Sequence, residues 1–74
     1  MKYIVIELQR LASGTVANLV TSYDSRLQAE SKYHTVLAAA AVSSVPAHSA
    51  VIVDECGNLI DSKCYMHEAT TNNT

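Results

Sequence analysis

The sequence contains few cysteines and no signal for export or membrane insertion. Its two cysteines, Cys56 and Cys64, are eight residues apart. Across a hairpin they would lie far out of register, at a distance greater than the roughly 7 Å between Cα atoms that a disulfide allows. We expect no signal peptide, and no apolar run approaches the roughly 20 residues that a bilayer requires. We therefore expect two free thiols, no membrane association and a reducing, cytoplasmic setting.

Charged residues are also sparse. Five Lys and Arg stand against seven Asp and Glu, which gives a formal net charge of −2. The basic residues are not clustered, whereas nucleic-acid binding requires a basic patch. The sequence also lacks an acidic block and an internal repeat. We therefore expect no nucleic-acid partner.

Motifs of catalysis and metal binding are missing as well. There is no CxxC pair and no HExxH. Cys64 and His67 have a ligand-like spacing, but residues three apart on a strand point to opposite faces. Nucleophilic catalysis would need a histidine, a carboxylate and an oxyanion hole beside Cys64 or a serine, and no local motif groups them. We predict no enzymatic activity, no metal and no cofactor, with Cys64 as a small buried apolar residue.

Two N-terminal segments have the alternation of strands. KYIVIEL (residues 2–8) is rich in β-branched and aromatic residues, and TVANLVTSY (residues 15–23) alternates again. Ser13-Gly14 supplies a turn between them, which predicts a hairpin. The two faces of the first strand differ: Ile4, Ile6 and Leu8 lie on one, and Tyr3, Val5 and Glu7 on the other.

A helix is predicted after this hairpin. Ser25 and Gln28 form a capping box, and Pro46 predicts an end near Ser43-Ser44 because a residue before proline avoids the α region. Apolar residues recur at spacings of three and four, which defines one apolar face: Ala29, Tyr33, Val36, Leu37 and Ala40.

Two further strands, HSAVIVD (residues 48–54) and NLIDSKCYMH (residues 58–67), follow the helix. Gly57-Asn58 is a typical hairpin dipeptide, and with these two residues at the centre of the turn His48 would pair with His67. The order ββαββ predicts an α+β fold with a four-stranded antiparallel sheet and one helix packed on one face. We assign residues 1–68 to this single domain and Ala69 to Thr74 to a flexible polar tail.

The second half of the helix is apolar on all sides. A domain of 74 residues buries only about 60% of its unfolded surface, so a partner subunit would stabilise it. One helix covers one sheet face, and Ala38, Ala41 and Val42 would allow close approach by another surface. We predict a homodimer or higher even oligomer through these three residues. The alternative is that the alanines only raise helix propensity.

A possible ligand site follows from the polar residues near the helix. Arginine and lysine suit phosphates, and tyrosine suits a base. We predict a pocket between subunits that accepts an anionic, aromatic ligand such as a nucleotide, lined by Arg26, Lys32, Tyr33, His34 and Tyr65. The alternative is a set of ordinary solvated side chains on the surface.

The segments YDSRLQAESKYHTVLAAAAVSSVPAHSAV and ECGNLIDSKCYMHE resemble a set of short uncharacterised proteins from bacteriophage and prophage genomes. The resemblance covers nearly the whole chain, from Lys2 to Glu68. It implies a phage accessory protein in the cytoplasm of a bacterial host, without indicating any activity or functional residue. In that context we predict a non-enzymatic protein that sequesters a nucleotide signal of host immunity in an intersubunit pocket. The alternatives are an inhibitor that blocks a host defence protein and a structural or regulatory oligomer.

Overall fold

A computed structural model describes residues 1–67. It contains five elements in the order ββαββ: β1 (Tyr3–Arg10), β2 (Val16–Tyr23), α1 (Arg26–Ala41), β3 (Ala47–Asp54) and β4 (Leu59–Met66). This order confirms the sequence prediction. The predicted tail from Ala69 to Thr74 lies outside the described residues.

The four strands form one antiparallel sheet in the order β2-β1-β3-β4. β1 and β3 occupy the centre, where Ile6 pairs with Val51, and β2 and β4 form the edges. The helix packs mainly on β3 and β1. The α+β architecture predicted from the sequence is therefore confirmed, and β2 is left largely uncovered on both faces.

The helix begins where the capping pattern predicted. The hydroxyl oxygen of Ser25 accepts a hydrogen bond from the backbone N–H of Gln28 at 3.4 Å, and α1 ends at the C-cap residue Val42. Its predicted apolar face forms the core together with three sheet residues, Val5, Ala50 and Ile52. The buried helix residues are Ala29, Tyr33, Val36 and Ala40, with Leu37 partly buried beside them.

The pairing of β3 with β4 differs from the prediction by two residues. His48 lies opposite Tyr65 rather than His67. The connection is longer than a two-residue turn, because the backbone N–H of Asp54 donates to the carbonyl of Asn58 at 3.0 Å. A register shift at Ile52 and Val53 also displaces the pairing, so the conditional His48–His67 pair is wrong.

The turn between β3 and β4 is organised by one carboxylate. Asp54 accepts hydrogen bonds from the backbone N–H groups of Cys56 and Asn58, each at 2.9 Å. These bonds, first those from Asn58, lower the pKa of the Asp54 carboxyl. Gly57 takes a φ of +85°, a conformation that favours glycine. The turn chemistry, rather than the Gly57-Asn58 dipeptide alone, fixes the register.

α1 is too short to span a bilayer. It has 16 residues, and within residues 1–67 no helix is long and apolar enough to cross a membrane.

Candidate functional site

The face of the sheet turned away from α1 consists mostly of apolar side chains, and we refer to it as the open face. The strand registers place sixteen side chains there, four from each strand. Arg10, at the end of the central strand β1, is the single charged residue among them. The open face consists of Ile4, Ile6, Leu8 and Arg10; Val16, Asn18, Val20 and Ser22; Ala47, Ser49, Val51 and Val53; and Leu59, Ser62, Cys64 and Met66.

Large side chains of the open face are accessible to solvent. Val16 and Val20 are each 56% exposed, Met66 is 59% exposed and Leu59 is 63% exposed. The helix instead covers the face of β1 that contains Val5 and Glu7. The chain therefore turns the more apolar side of its central strand outward, which is unfavourable for an isolated molecule because apolar area stays in water.

The outer surface of α1 contains the three residues predicted to form an oligomer interface. Ala38 and Ala41 are exposed, and Val42 is 86% exposed. Leu27, near the other end of the helix, is 77% exposed. The sheet of the same molecule does not enclose these side chains, so their contact with a second copy stays a prediction.

A shallow groove runs between α1 and β2, and we call it the α1–β2 groove. It is lined by Tyr23 from β2 and by four helix residues, Gln28, Ser31, Lys32 and Thr35. The groove exists because the helix packs over β3 and β1 and makes few contacts with β2. All five side chains contain a hydrogen-bond donor, and Lys32 is the one with a charge.

A second hollow lies on the helix side of β1 and β2 and includes Glu7, Gln9 and Leu19 in its lining. The Lys32 ammonium is close enough to Glu7 to help lower the pKa of that carboxyl. Between Leu19 and Tyr23, on the same face of β2, Thr21 has a hydroxyl that is buried and has no hydrogen-bond partner among residues 1–67. Polar groups therefore extend along this side of the sheet beyond the groove itself.

A buried polar cluster joins β1, β3 and the segment after α1. The Nε2 of His48 lies 2.6 Å from Oε2 of Glu7, and its Nδ1 lies 3.0 Å from Oγ of Ser43. The Nε2 of Gln9 is 3.2 Å from the same Glu7 oxygen. His48 is 4% exposed. The hydrogen bond from His48, and then that from Gln9, lower the pKa of the Glu7 carboxyl.

The cluster has the residue types of a hydroxyl–imidazole–carboxylate relay. With Nε2–H donating to Glu7, Nδ1 accepts from the Ser43 hydroxyl, so the imidazole is held between both neighbours. Sequence reasoning noted that each type was present but did not bring them together. Two sequence features could have indicated this cluster. The alternation of β1 places Glu7 on the same face as Val5, and His48 follows the end of the helix closely in sequence.

The residues predicted to bind a ligand do not meet in one place within a single chain. Lys32 lines the α1–β2 groove, whereas Tyr33 is buried in the core, where burial and then the charge of Asp61 on β4 raise the pKa of its hydroxyl. Tyr65, also on β4, stacks on His67 with ring centroids 6.3 Å apart. Lys32 and Tyr65 thus belong to opposite sides of the helix.

The other two predicted ligand residues lie on the exposed part of α1. Arg26 donates from Nε to Glu30 at 3.0 Å, four residues along the helix. His34 is exposed and meets the Tyr33 ring edge-on, with centroids 5.4 Å apart. Neither residue lines the α1–β2 groove. A site between subunits that contains all five residues is not tested by a single chain and stays a prediction.

Both cysteines are free and exposed. The expectation that Cys64 is buried within the chain is wrong, because β4 turns it to the open face, where its Sγ lies 3.7 Å from the sulfur of Met66. Within residues 1–67, no group of three or more His, Cys, Asp or Glu residues could hold a metal ion.

No protein-family model matches the chain, and no curated protein or solved structure matches it.

Proposed function

We propose that the protein is a non-enzymatic binding protein that holds a small anionic ligand, of the nucleotide class, in the α1–β2 groove. The observation that supports this most is the composition of the groove lining. Each of its five side chains can donate a hydrogen bond, and its one charged group is the Lys32 ammonium. Phosphate oxygens are pure acceptors and suit such a lining.

The two walls of the groove would contact different parts of a nucleotide. Tyr23 on β2 offers an aromatic ring for stacking a base, which is worth about 1–3 kcal/mol per base in proteins that bind single strands. Gln28 and Lys32 on α1 offer an amide and an ammonium to the phosphate and sugar. Tyr23 here takes the role that the sequence assigned to Tyr33 and Tyr65.

The Glu7 carboxylate does not oppose an anion at full strength. It accepts from His48 and Gln9 and is partly neutralised by Lys32. The resemblance to small phage and prophage proteins suggests that the ligand is a nucleotide signal of host immunity, which the protein would remove by occupancy rather than by chemistry.

Calorimetric titration with a nucleoside monophosphate, a linear dinucleotide and a cyclic dinucleotide tests this function, with inorganic phosphate as a reference. Binding of at least one nucleotide should also raise the melting temperature, because a ligand of the native state stabilises it. Lys32→Gln should weaken binding about tenfold or more, since it removes the charge-assisted contact.

Lys63→Gln is the matched control, because it removes the same charge from β4, where Lys63 lies over the Tyr65 ring at 5.1 Å, outside the groove. This variant should bind like the wild type. Equal losses in Lys32→Gln and Lys63→Gln, or no binding of any of the three nucleotides, would rule out the groove as a nucleotide site.

The outer surface of α1 favours a second candidate function, inhibition of a host protein. Leu27 and Val42 are the most exposed large apolar residues of residues 1–67, and protein interfaces use apolar anchors of this kind. A Val42→Asp variant that loses a stoichiometric complex with a purified host protein, while keeping nucleotide binding unchanged, would assign the function to this surface instead.

A further inference from the structure

The open face is the largest feature that the proposed ligand groove does not use. We propose that it packs against the open face of a second copy, around a two-fold axis that runs parallel to the strands between β1 and β3. The result is a four-layer dimer with the two sheets inside and the two helices outside. This proposal is independent of the ligand groove, which lies on the other side of the sheet.

The open face is large enough for a stable dimer. Four strands of eight residues span about 19 Å by 26 Å, so the face projects to about 500 Å² per copy. Two such faces together reach the total of about 1,000 Å² that a specific interface requires. Protruding side chains increase the accessible area beyond this projection.

The charge pattern favours an apolar partner. Arg10 is the last residue of β1, at one end of the open face, so the positions in the middle of the face can be covered without removing any charge from water. The covered face contains charged groups on β1, β3 and β4, namely Glu7, Asp54, Asp61 and Lys63. An identical open face fulfils the requirement for an apolar partner surface.

The relief of the open face is self-complementary about this axis. β1 presents a row of bulky side chains, Ile4, Ile6 and Leu8, whereas β3 and β4 form a shallow hollow that includes Ser49 and Ser62. The axis places β1 of one copy over β3 of the other, so Ile6 and Leu8 lie over the hollow, and the reciprocal contact is identical. Two aligned sheets of this kind pack about 10 Å apart.

The strand registers then assign individual contacts. Ile6 pairs with Val51 within one sheet, so across the axis Ile6 of one copy faces Val51 of the other. Leu8 pairs with Ser49 and therefore sits over Ser49 of the second copy. On the edge strands, Val20 reaches the region of Ser62 of the second copy. The contacts of Leu8 with Ser49 and of Val20 with Ser62 combine a large with a small side chain, as interdigitated interfaces do.

The helix surface offers a weaker interface. Ala38 and Ala41 have little side chain to bury, and Val42 lies at the end of the helix. In the dimer proposed here, these residues remain on the outside, where a ligand or a host protein can reach the helix. We therefore propose the open face of the sheet as the dimer interface, in place of the helix surface predicted from the sequence.

Analytical ultracentrifugation of the wild type and three lysine variants tests the dimer. Val20→Lys adds a charge to the open face, and Leu19→Lys is its matched control, because the two neighbours on β2 are 56% and 54% exposed and point to opposite faces. Ala38→Lys tests the helix surface as the interface. We expect a dimeric wild type, at least a tenfold weaker dimer for Val20→Lys, and unchanged dimers for the other two variants.

Circular dichroism must show a folded Val20→Lys variant; if it is unfolded, Val16→Lys, also 56% exposed on the open face, replaces it. A monomeric wild type, or a Val20→Lys variant that dimerises like the wild type, would overturn the proposal. Loss of the dimer in Ala38→Lys with its retention in Val20→Lys would transfer the interface to the helix. Because nucleotide binding is measured separately, failure of the dimer leaves the test of the groove intact.

Discussion

Glu7 and His48 form the closest polar contact between the two central strands, with Oε2 of Glu7 2.6 Å from Nε2 of His48. The contact lies on the covered face of the sheet, beside the Ser43 hydroxyl that follows the helix. It therefore connects β1, β3 and the end of α1 at one buried point. We interpret the cluster as a positioning element that fixes the helix over the sheet and so shapes the α1–β2 groove.

Replacing Glu7 should reveal the strength of this connection. Glu7→Gln keeps the side-chain length but removes the charge that His48 and Gln9 contact, and it should lower the free energy of unfolding by about 1–3 kcal/mol. Urea denaturation at neutral pH measures this loss. The control is Glu30→Gln, which disrupts an exposed pair with Arg26 and should cost about 0.5 kcal/mol or less. Equal losses in both variants would show that the Glu7–His48 contact has no special weight.

The pH dependence of stability should show the same contact. The folded pKa of Glu7 lies below its ordinary value of 4.5 because His48 donates to the ionised carboxylate. The contact therefore contributes fully to the free energy of unfolding above pH 4.5, and this contribution is lost as the pH falls through the lower folded pKa of Glu7. Urea midpoints measured down to about pH 3 should fall less steeply in Glu7→Gln than in the wild type. Parallel curves would contradict this assignment.

The Tyr33 hydroxyl should be dispensable for folding. Its oxygen is buried and has no hydrogen-bond partner among residues 1–67. Tyr33→Phe should therefore leave the free energy of unfolding unchanged or raise it by up to about 1 kcal/mol, whereas Tyr33→Ala should cost about 3–5 kcal/mol by opening a cavity. Thermal and urea unfolding measure both. A loss above about 1 kcal/mol in Tyr33→Phe would indicate a hydrogen bond from the hydroxyl to Asp61.

The two thiols should differ in reactivity if the open faces meet. Both are exposed in one chain, but Cys64 belongs to the open face and Cys56 to the turn after β3. A thiol reagent should label Cys56 rapidly and Cys64 at least tenfold more slowly in the wild type, with the difference reduced in Val20→Lys. Cys64→Ser and Cys56→Ser variants assign the two rates. Equal rates in the wild type would contradict burial of Cys64 between two copies.

The arrangement of elements could be predicted from the sequence because it depends on local signals. The alternation of KYIVIEL, the Ser25 cap and the apolar spacing from Ala29 to Ala40 each fix one element without reference to the others. The register of β3 with β4 could not be predicted in this way, because it depends on bonds within the turn from Asp54 to Asn58 and on a bulge.

The candidate site was less predictable because it depends on where the helix packs. Sequence reasoning separated the two faces of β1 but did not determine which one the helix covers. The observed choice places Glu7 beside His48 and turns Ile6 outward. Lys32 lines the groove. Tyr33 was also predicted to bind the ligand, but it packs in the core because it lies on the apolar face of the helix.

Isotope-filtered NMR on a mixture of labelled and unlabelled chains tests the central claim, the covered open face, most directly. The isotope filter selects contacts between different chains and removes the Ile6–Val51 contact within one sheet. The filtered spectrum should still show methyl contacts between Ile6 and Val51, because the proposed axis brings Ile6 of one copy over Val51 of the other. Intermolecular contacts confined to the methyl groups of Ala38 and Ala41, or no intermolecular contact from the open face at concentrations where the protein sediments as a dimer, would contradict it.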